Sequence, residues 1–445
     1  MFELKEHLKE ISGNDYIDPD LYSKFSVKRG LRNEDSTGVL VGLTRIGDVH
    51  GYEIIDGKKV AVPGKLFYRG IDIVEIINEA AKKDRFCFEE ITYLLIFGKL
   101  PTQKQLDDFN KLIGECRPLP KNFVEDVILK APSQNIMNKL ASSVLALYPY
   151  DENPEDQTPE NVLRQCIELI SRFPSIAAYS YMSKKHNFDH ESLIIHQMDP
   201  SLSTAETILS LIRPDQKYSR YEAQLLDLAL VLHAEHGGGN NSTFTVHVVS
   251  SSDTDTFSAI AAGIGSLKGF KHGGANSKVI KMMDDIKENV KNWESEKEVS
   301  DYLEKILKGQ AYDGTKLIYG QGHAVYTITD PRASLLRDKA KALAEEKGMI
   351  KEFNLHCLIE QLAPTVFKKI KGSDKDICTN VDFYSGFVYK MLGIPEDLNT
   401  PIFAISRIAG WCAHRLEEII SGGRIIRPAY KCVQPQLSYT SIDKR

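Results

Sequence analysis

From about residue 70 onward, the apolar positions of this chain recur at helical spacing. Ile73, Ile76 and Ile77 open one apolar face, and Ile91, Leu94, Leu95 and Phe97 form another. Spacings of three and four residues put such side chains on one side of a helix. Residues 160–184 and 222–235 keep the same period, while Pro101 and Pro118-Leu119-Pro120 punctuate it. Residues 151–156, Asp-Glu-Asn-Pro-Glu-Asp, read as a polar, exposed loop. Ser295-Glu296-Lys297-Glu298 has the capping-box pattern and opens a helix through about Lys308. Asp330-Pro331 reads as an N-cap followed by proline, starting a helix that Lys347-Gly348 closes. Residues 384–392 and 401–420 are helical again.

Strand signals are few. Residues 39–68 form the clear β region, beginning with the apolar run Val39-Leu40-Val41-Gly42-Leu43. Glu53 to Val60 reads as a hairpin, with Asp56-Gly57 as its type I′ turn. Thr243 to Val249 also reads as a strand, by propensity and alternation. The expected fold is mainly α, with a small N-terminal β element. Two domains are expected: a large helical one from 1–274 and 384–445, and a smaller Lys- and Glu-rich helical one inserted at 275–383.

Composition narrows the function classes. The 445 residues are 42% hydrophobic and 26% charged, enough for a large core. A net charge of −5 gives no basic field for nucleic acid, so an anionic ligand must meet local cations. The seven cysteines (Cys87, Cys116, Cys166, Cys357, Cys378, Cys412, Cys432) show no Cys-x-x-Cys pair. They read as buried small apolar residues in a reducing compartment. The Met1 to His7 start carries no apolar signal core, and no run approaches a membrane span. A cytoplasmic location is expected.

The chemistry concentrates in a few segments. Tyr319 to Arg332 packs two glycines around Gln321, then His323, then a helix start bearing Arg332. A neutral donor, a cation and a helix N-terminus suit a small polyanion with a carbonyl to polarise. His233 and His236 end another helix. They can be read as a zinc pair or as structural histidines, although the His-Glu-x-x-His order is absent. His272 lies in a glycine-rich break before a helix, where a neutral imidazole is favoured. Asp382 is either a simple N-cap or a general base; helix start and aromatic neighbours push its acidity in opposite directions. Arg407 sits on an apolar helix face with no acidic residue at i±3 or i±4, so its partner is distant or is a ligand. Arg424 and Arg427 follow a Gly-Gly stop, where surface salt bridges are the simple reading. Gly320-Gln321-Gly322 lacks the third glycine of a dinucleotide fingerprint, and no phosphate-loop or nucleophile-elbow motif occurs.

Taken in order, these segments resemble the citrate synthase family. The resemblance is carried by Leu232-His233-Ala234-Glu235-His236, Lys271-His272-Gly273-Gly274-Ala275-Asn276, Gly322-His323-Ala324-Val325, Thr329-Asp330-Pro331-Arg332, Asn380 to Gly386, Ser406 to Trp411 and Arg427-Pro428, over about residues 38–430. It implies a helical homo-oligomer, most simply a dimer, whose small domain closes over the ligand. The implied reaction condenses acetyl-CoA with oxaloacetate to give citrate and CoA, with no cofactor or metal. By resemblance, Asp382 is the base for the acetyl methyl proton, His272 the donor to the thioester oxygen, and His323 the group on the oxaloacetate carbonyl. His236, Arg332 and Arg407 are implied clamps for oxaloacetate, with Arg427 supplied by the neighbouring subunit. Leu317, Ile318, Tyr319, Gly320, Gln321 and Gly322 are implied to receive the adenine of CoA.

The chain departs from the family pattern after the loop histidine. Ala324 and Thr327 stand where many members carry a basic residue, and Lys268, Lys271 and Lys278 are the sequence-local substitutes for holding CoA phosphates. A 2-methylcitrate synthase using propionyl-CoA is the alternative within the fold. A non-catalytic CoA or dicarboxylate sensor and a zinc hydrolase at His233 and His236 are the alternatives outside it.

Overall fold

A computed structural model describes residues 15–33, 37–56, 58–372 and 376–444. The only sheet among them is a three-stranded antiparallel one, in the order β1 (Gly47–Ile55), β2 (Lys58–Tyr68), β3 (Ile71–Asp72). Pairing of Ile55 with Lys58 closes the hairpin, and Asp56 takes φ 51°, as a primed turn requires. Gly57 and residues 1–14 lie outside the described residues, so the full turn and the Met1 to His7 segment are not described. The apolar run 39–43 is not a strand. Leu40, Val41 and Leu43 are exposed in an extended segment before β1.

Helices make the rest. Those that position the site are α1 (Pro159–Phe188), α2 (Arg220–His233), α3 (Asn241–Ser250), α4 (Thr256–Leu267), α5 (Ala275–Asn289), α6 (Glu296–Lys308), α7 (Pro331–Glu346), α8 (Ile350–Lys371), α9 (Val381–Met391) and α10 (Asn399–Ser421). Local chemistry sets their starts. Ser219 and Glu222 form a complete capping box on α2. At α6 only half the expected box forms: Ser295 accepts from the Glu298 amide, but the Glu298 carboxylate turns to the Asn292 amide. Asp330 caps α7, and Pro331 follows as expected.

The expected strand at Thr243 to Val249 is instead helix α3. Strand propensity spans only about 1 kcal/mol. Here Ser242, Thr243, Val246 and Ser250 lie on one buried face, packed between α4 and α10. Burying Val246 alone outweighs the propensity, at about 1.5–3 kcal/mol for a full aliphatic side chain.

Helix α10 runs through the centre, packing on α1, α2, α3 and α4, with Trp411 fully buried. A second group forms around α9, which α5 and α7 flank, while α6 packs on α8. The expected boundary at 383/384 falls inside α9, whereas 274/275 coincides with the start of α5. All seven cysteines are free thiols. Cys87, Cys166, Cys378 and Cys412 are buried as expected, but Cys432 is exposed in the tail after α10. No described helix is long and apolar enough to cross a membrane.

Candidate active site

The site begins where α2 stops. The Tyr68 hydroxyl, from β2, bridges the Val231 and Glu235 carbonyls at 2.9 and 3.1 Å, so the hairpin pins this helix end. His236 lies just beyond, with its Nε2 buried and without a hydrogen-bond partner. Burial, then Arg332 and His323, push its imidazole well below the ordinary value. The His236 ring meets the His323 ring edge-on, centroids 5.1 Å apart.

His323 is oriented by its own loop. Its Nδ1 accepts from the Val325 and Tyr326 amides, both at 3.1 Å, so a neutral ring carries its proton on Nε2. The ring stacks on Tyr326 at 4.6 Å. Burial first, then Arg332, push it down to about 4, which keeps it neutral at physiological pH. The hairpin supports this loop too: Tyr326 donates to the Lys65 carbonyl, and the Gly64 amide donates to Thr329 Oγ1.

Upstream of His323, the loop is stitched to the start of α9. The Gly322 amide donates to the Cys378 carbonyl at 2.7 Å, the Asn380 amide to the Gly320 carbonyl at 2.9 Å, and Asn380 Nδ2 to the Gly322 carbonyl at 3.0 Å. Gln321 pairs with Thr379 through backbone and side chain. Gly320 has φ 78°, and a Cβ there would sit 2.7 Å from the Phe383 ring. Neither the backbone angle nor the space admits another residue. Leu317 is exposed and Ile318 buried. Lys278 Nζ lies 5.0 Å above the Tyr319 ring.

Asn380, not Asp382, caps α9, accepting from the Asp382 amide at 3.1 Å. The carboxylate of Asp382 has no hydrogen bond among the described residues. Burial outweighs the opposing Arg332 and Arg407 charges and raises it to about 6. Desolvation therefore wins the contest that the sequence left open.

Two buried guanidiniums complete the group. Arg332 is held by the α7 cap residue, with Nε to Asp330 Oδ1 at 3.0 Å and Nη2 to Oδ2 at 2.7 Å. Arg407 is fully buried, donates from Nε to the His233 carbonyl at 2.6 Å, and leaves Nη1 without a partner. Burial lowers it to about 10, against the pull of Glu235. Of the two expected partners of Arg407, a distant group or a ligand, the described residues supply a carbonyl and a through-space charge. His233 is structural: its Nδ1 faces the Ala229 carbonyl at 2.9 Å and its ring packs on Phe403. Neither His233 nor His236 joins a third metal-binding side chain among the described residues.

His272 Nε2 lies 3.1 Å from Ser242 Oγ, and Trp411 Nε1 donates to that same oxygen at 3.2 Å. Burial, then Arg407, push His272 down to about 4. Arg427 is exposed in the tail. Its neighbour Ile426 docks on Ser251 at the end of α3 opposite Ser242, roughly 13 Å along the helix.

The family model for the citrate synthase C-terminal domain matches residues 35–429. The chain belongs to the citrate synthase family. It is an acyltransferase of the citrate synthase type. The citrate synthase of Haloferax volcanii is 34% identical over 94% of this chain and 99% of its own length. The 2-methylcitrate synthase of Shewanella oneidensis is 30% identical over 85% of this chain and 92% of its own. Among solved structures, a ternary complex of citrate synthase from Thermoplasma acidophilum with carboxymethyl coenzyme A and oxaloacetate matches with TM-score 0.75 and 25% identity. That match covers 94% of this chain and 99% of that one. Within this citrate synthase frame, Tyr68 and Ser242 touch the candidate site residues from outside the segments singled out in the sequence, while Tyr326 and Asn380 lie inside two of those segments without having been singled out themselves; each matters through what it touches.

Proposed function

We propose that Asp382, His272 and His323 together convert acetyl-CoA and oxaloacetate into citrate and CoA. Asp382 takes a proton from the acetyl methyl group while His272 donates to the thioester oxygen, giving an enol. The enol carbon then attacks the ketone carbon of oxaloacetate, and His323 Nε2–H donates to the ketone oxygen. Water finally cleaves the thioester. One observation carries this reading: a carboxyl held near 6 shares the field of two buried guanidiniums with imidazoles that stay unprotonated. A base with a pKa near working pH and preorganised neutral donors are what enolisation of a thioester requires.

Ser242 supports the role of His272. Trp411 fills one side of the hydroxyl, leaving Ser242 one proton to give, to Asn240 or to His272 Nε2. Given to His272, it leaves the imidazole proton on Nδ1, free to meet the thioester oxygen. Oxaloacetate then sits between His236 Nε2 and Arg407 Nη1, two buried nitrogens of the site without partners, with Arg332 beside them. The 317–322 loop takes the adenine, and Lys278, over Tyr319, substitutes for the missing cations at 324 and 327. Arg427 reaches the neighbouring subunit of a homodimer. Exposed Leu40, Leu43, Tyr430, Leu437 and Tyr439 supply apolar surface for that contact. A small domain of about 275–383 closes to keep water out until the carbon–carbon bond exists.

Thiol release from acetyl-CoA with and without oxaloacetate tests the activity; release independent of oxaloacetate defeats it. The relative from Shewanella motivates the propionyl alternative. One methylene is worth only about 1–3 kcal/mol in such a pocket, so kcat/KM for both acyl-CoAs decides the substrate. A preference for propionyl-CoA overturns the first choice.

A further inference from the structure

Behind the site, away from any role assigned above, His247 of α3 faces His414 of α10, with Nε2 and Nδ1 2.9 Å apart. The distal nitrogens point at carboxylates. His247 Nδ1 lies 3.3 Å from Glu418 Oε2, and His414 Nε2 lies 3.1 Å from Glu235 Oε1, a close contact not aligned as a hydrogen bond. A third carboxylate oxygen, Glu417 Oε2, is 3.8 Å from His414 Nδ1, buried and without a hydrogen-bond partner. His414 is fully buried. Among the described residues, no Lys or Arg makes an ion pair with Glu235, Glu417 or Glu418. Arg69 and Arg407, the cations that act on them, spend hydrogen bonds on the Leu95 and His233 carbonyls.

The contacts leave room for one more cation. Two neutral imidazoles bring two hydrogens, enough for one on each distal nitrogen facing Glu235 and Glu418. If both distal nitrogens carry them, both inner nitrogens present lone pairs to the same point, beside Glu417 Oε2. A divalent ion at that point is the third positive element, and Glu235 and Glu418 become the carboxylates that orient its histidines.

We propose that His247 Nε2, His414 Nδ1 and Glu417 Oε2 form a binding site for a zinc-class divalent transition-metal ion. The three ligand atoms lie within 4.8 Å of one another. Tetrahedral zinc, with bonds of about 2.0–2.1 Å, separates its ligand atoms by about 3.3 Å. The two nitrogens therefore open by a few tenths of an ångström, and Glu417 Oε2 closes on His414 Nδ1 by about half an ångström and on His247 from within 4.8 Å. Water takes the fourth position. Two imidazoles and one carboxylate select zinc, cobalt or nickel over magnesium or calcium. Access is through a cavity of about 830 Å³, lined by Thr44, Arg45, Arg69, Leu416 and Glu417.

The test is calorimetric titration of chelator-treated full-length protein with Zn²⁺ alone, beside His247→Gln. The expected result is one ion per chain, with affinity at least tenfold weaker in His247→Gln, whose circular dichroism and oxaloacetate-dependent thiol release match the parent. No uptake by the parent protein, or equal uptake by both proteins, overturns the site. Should His247→Gln fail to fold, Glu417→Gln, which removes a buried unpaired charge, gives the same comparison and is expected to lose the ion in the same way.

Discussion

Replacing Asp382 with asparagine separates function from stability, because the two are expected to move in opposite directions. Asp382 is raised from 3.8 to about 6, with burial as the main cause. At about 1.36 kcal/mol per pH unit, that rise corresponds to roughly 3 kcal/mol. The sign follows from linkage. Below pH 3.8 the carboxyl is protonated in both folded and unfolded chains and costs nothing. As pH rises from 3.8 through 6, the unfolded chain ionises first, and the folded state loses up to that roughly 3 kcal/mol. Above 6 the loss is complete. Asp382→Asn is neutral and nearly isosteric, so it escapes the loss. We expect the variant to resist urea more than the parent at pH 8, by up to about 3 kcal/mol, with the gap closing near pH 4. Turnover, read as oxaloacetate-dependent thiol release, is expected to fall by roughly 10²–10⁴, the usual worth of a positioned general base. In the parent, kcat/KM is expected to drop tenfold per pH unit below about 6. An Asp382→Asn protein that is less stable than the parent at pH 8, or that turns over near-normally, refutes the desolvated-base argument.

Other outcomes follow from the same contacts. Ser242→Ala removes the hydroxyl that fixes the His272 tautomer; kcat is expected to fall at least tenfold while KM for oxaloacetate holds, as steady-state kinetics will show. Lys278→Ala is expected to raise KM for acetyl-CoA severalfold and leave oxaloacetate untouched; an unchanged KM removes Lys278 from the CoA site. Tyr68→Phe deletes the hydroxyl that links the Val231 carbonyl to the Glu235 backbone and is expected to cost about 1–3 kcal/mol in denaturant melts, since the buried Glu235 amide and carbonyl lose that partner. Asp382→Asn and Arg427→Leu, each inactive alone, are expected to recover about a quarter of parental activity when co-expressed, because a two-fold mixed dimer rebuilds one site. No recovery places Arg427 outside the partner's site.

Much of this was legible in the sequence because helical period and glycine–histidine segments are local signals. Asp330-Pro331 announced α7, and the apolar flanks of Arg407 announced a buried guanidinium. What was hidden depended on distance in space. The Thr243 to Val249 segment carries strand propensity and becomes a helix because α4 and α10 supply a surface for one of its faces. Leu40 and Leu43 look like strand residues but lie exposed, with no strand paired to them among the described residues. The acidity of Asp382 could not be decided until its burial could be weighed against Arg332 and Arg407. Arg332 read as a cation for the ligand, but the sequence did not show that its own cap residue, Asp330, takes two of its donors.

The seam between the 320–323 loop and the start of α9 has a mechanical meaning. Asn380 grips the Gly322 carbonyl with one end of its amide and the Asp382 amide with the other. In the proposed closure the carboxyl and the loop imidazole therefore travel as one rigid body, and one coordinate, the approach of that body to His272 and His236, governs alignment. A protein built this way cannot tune one of the pair without moving the other.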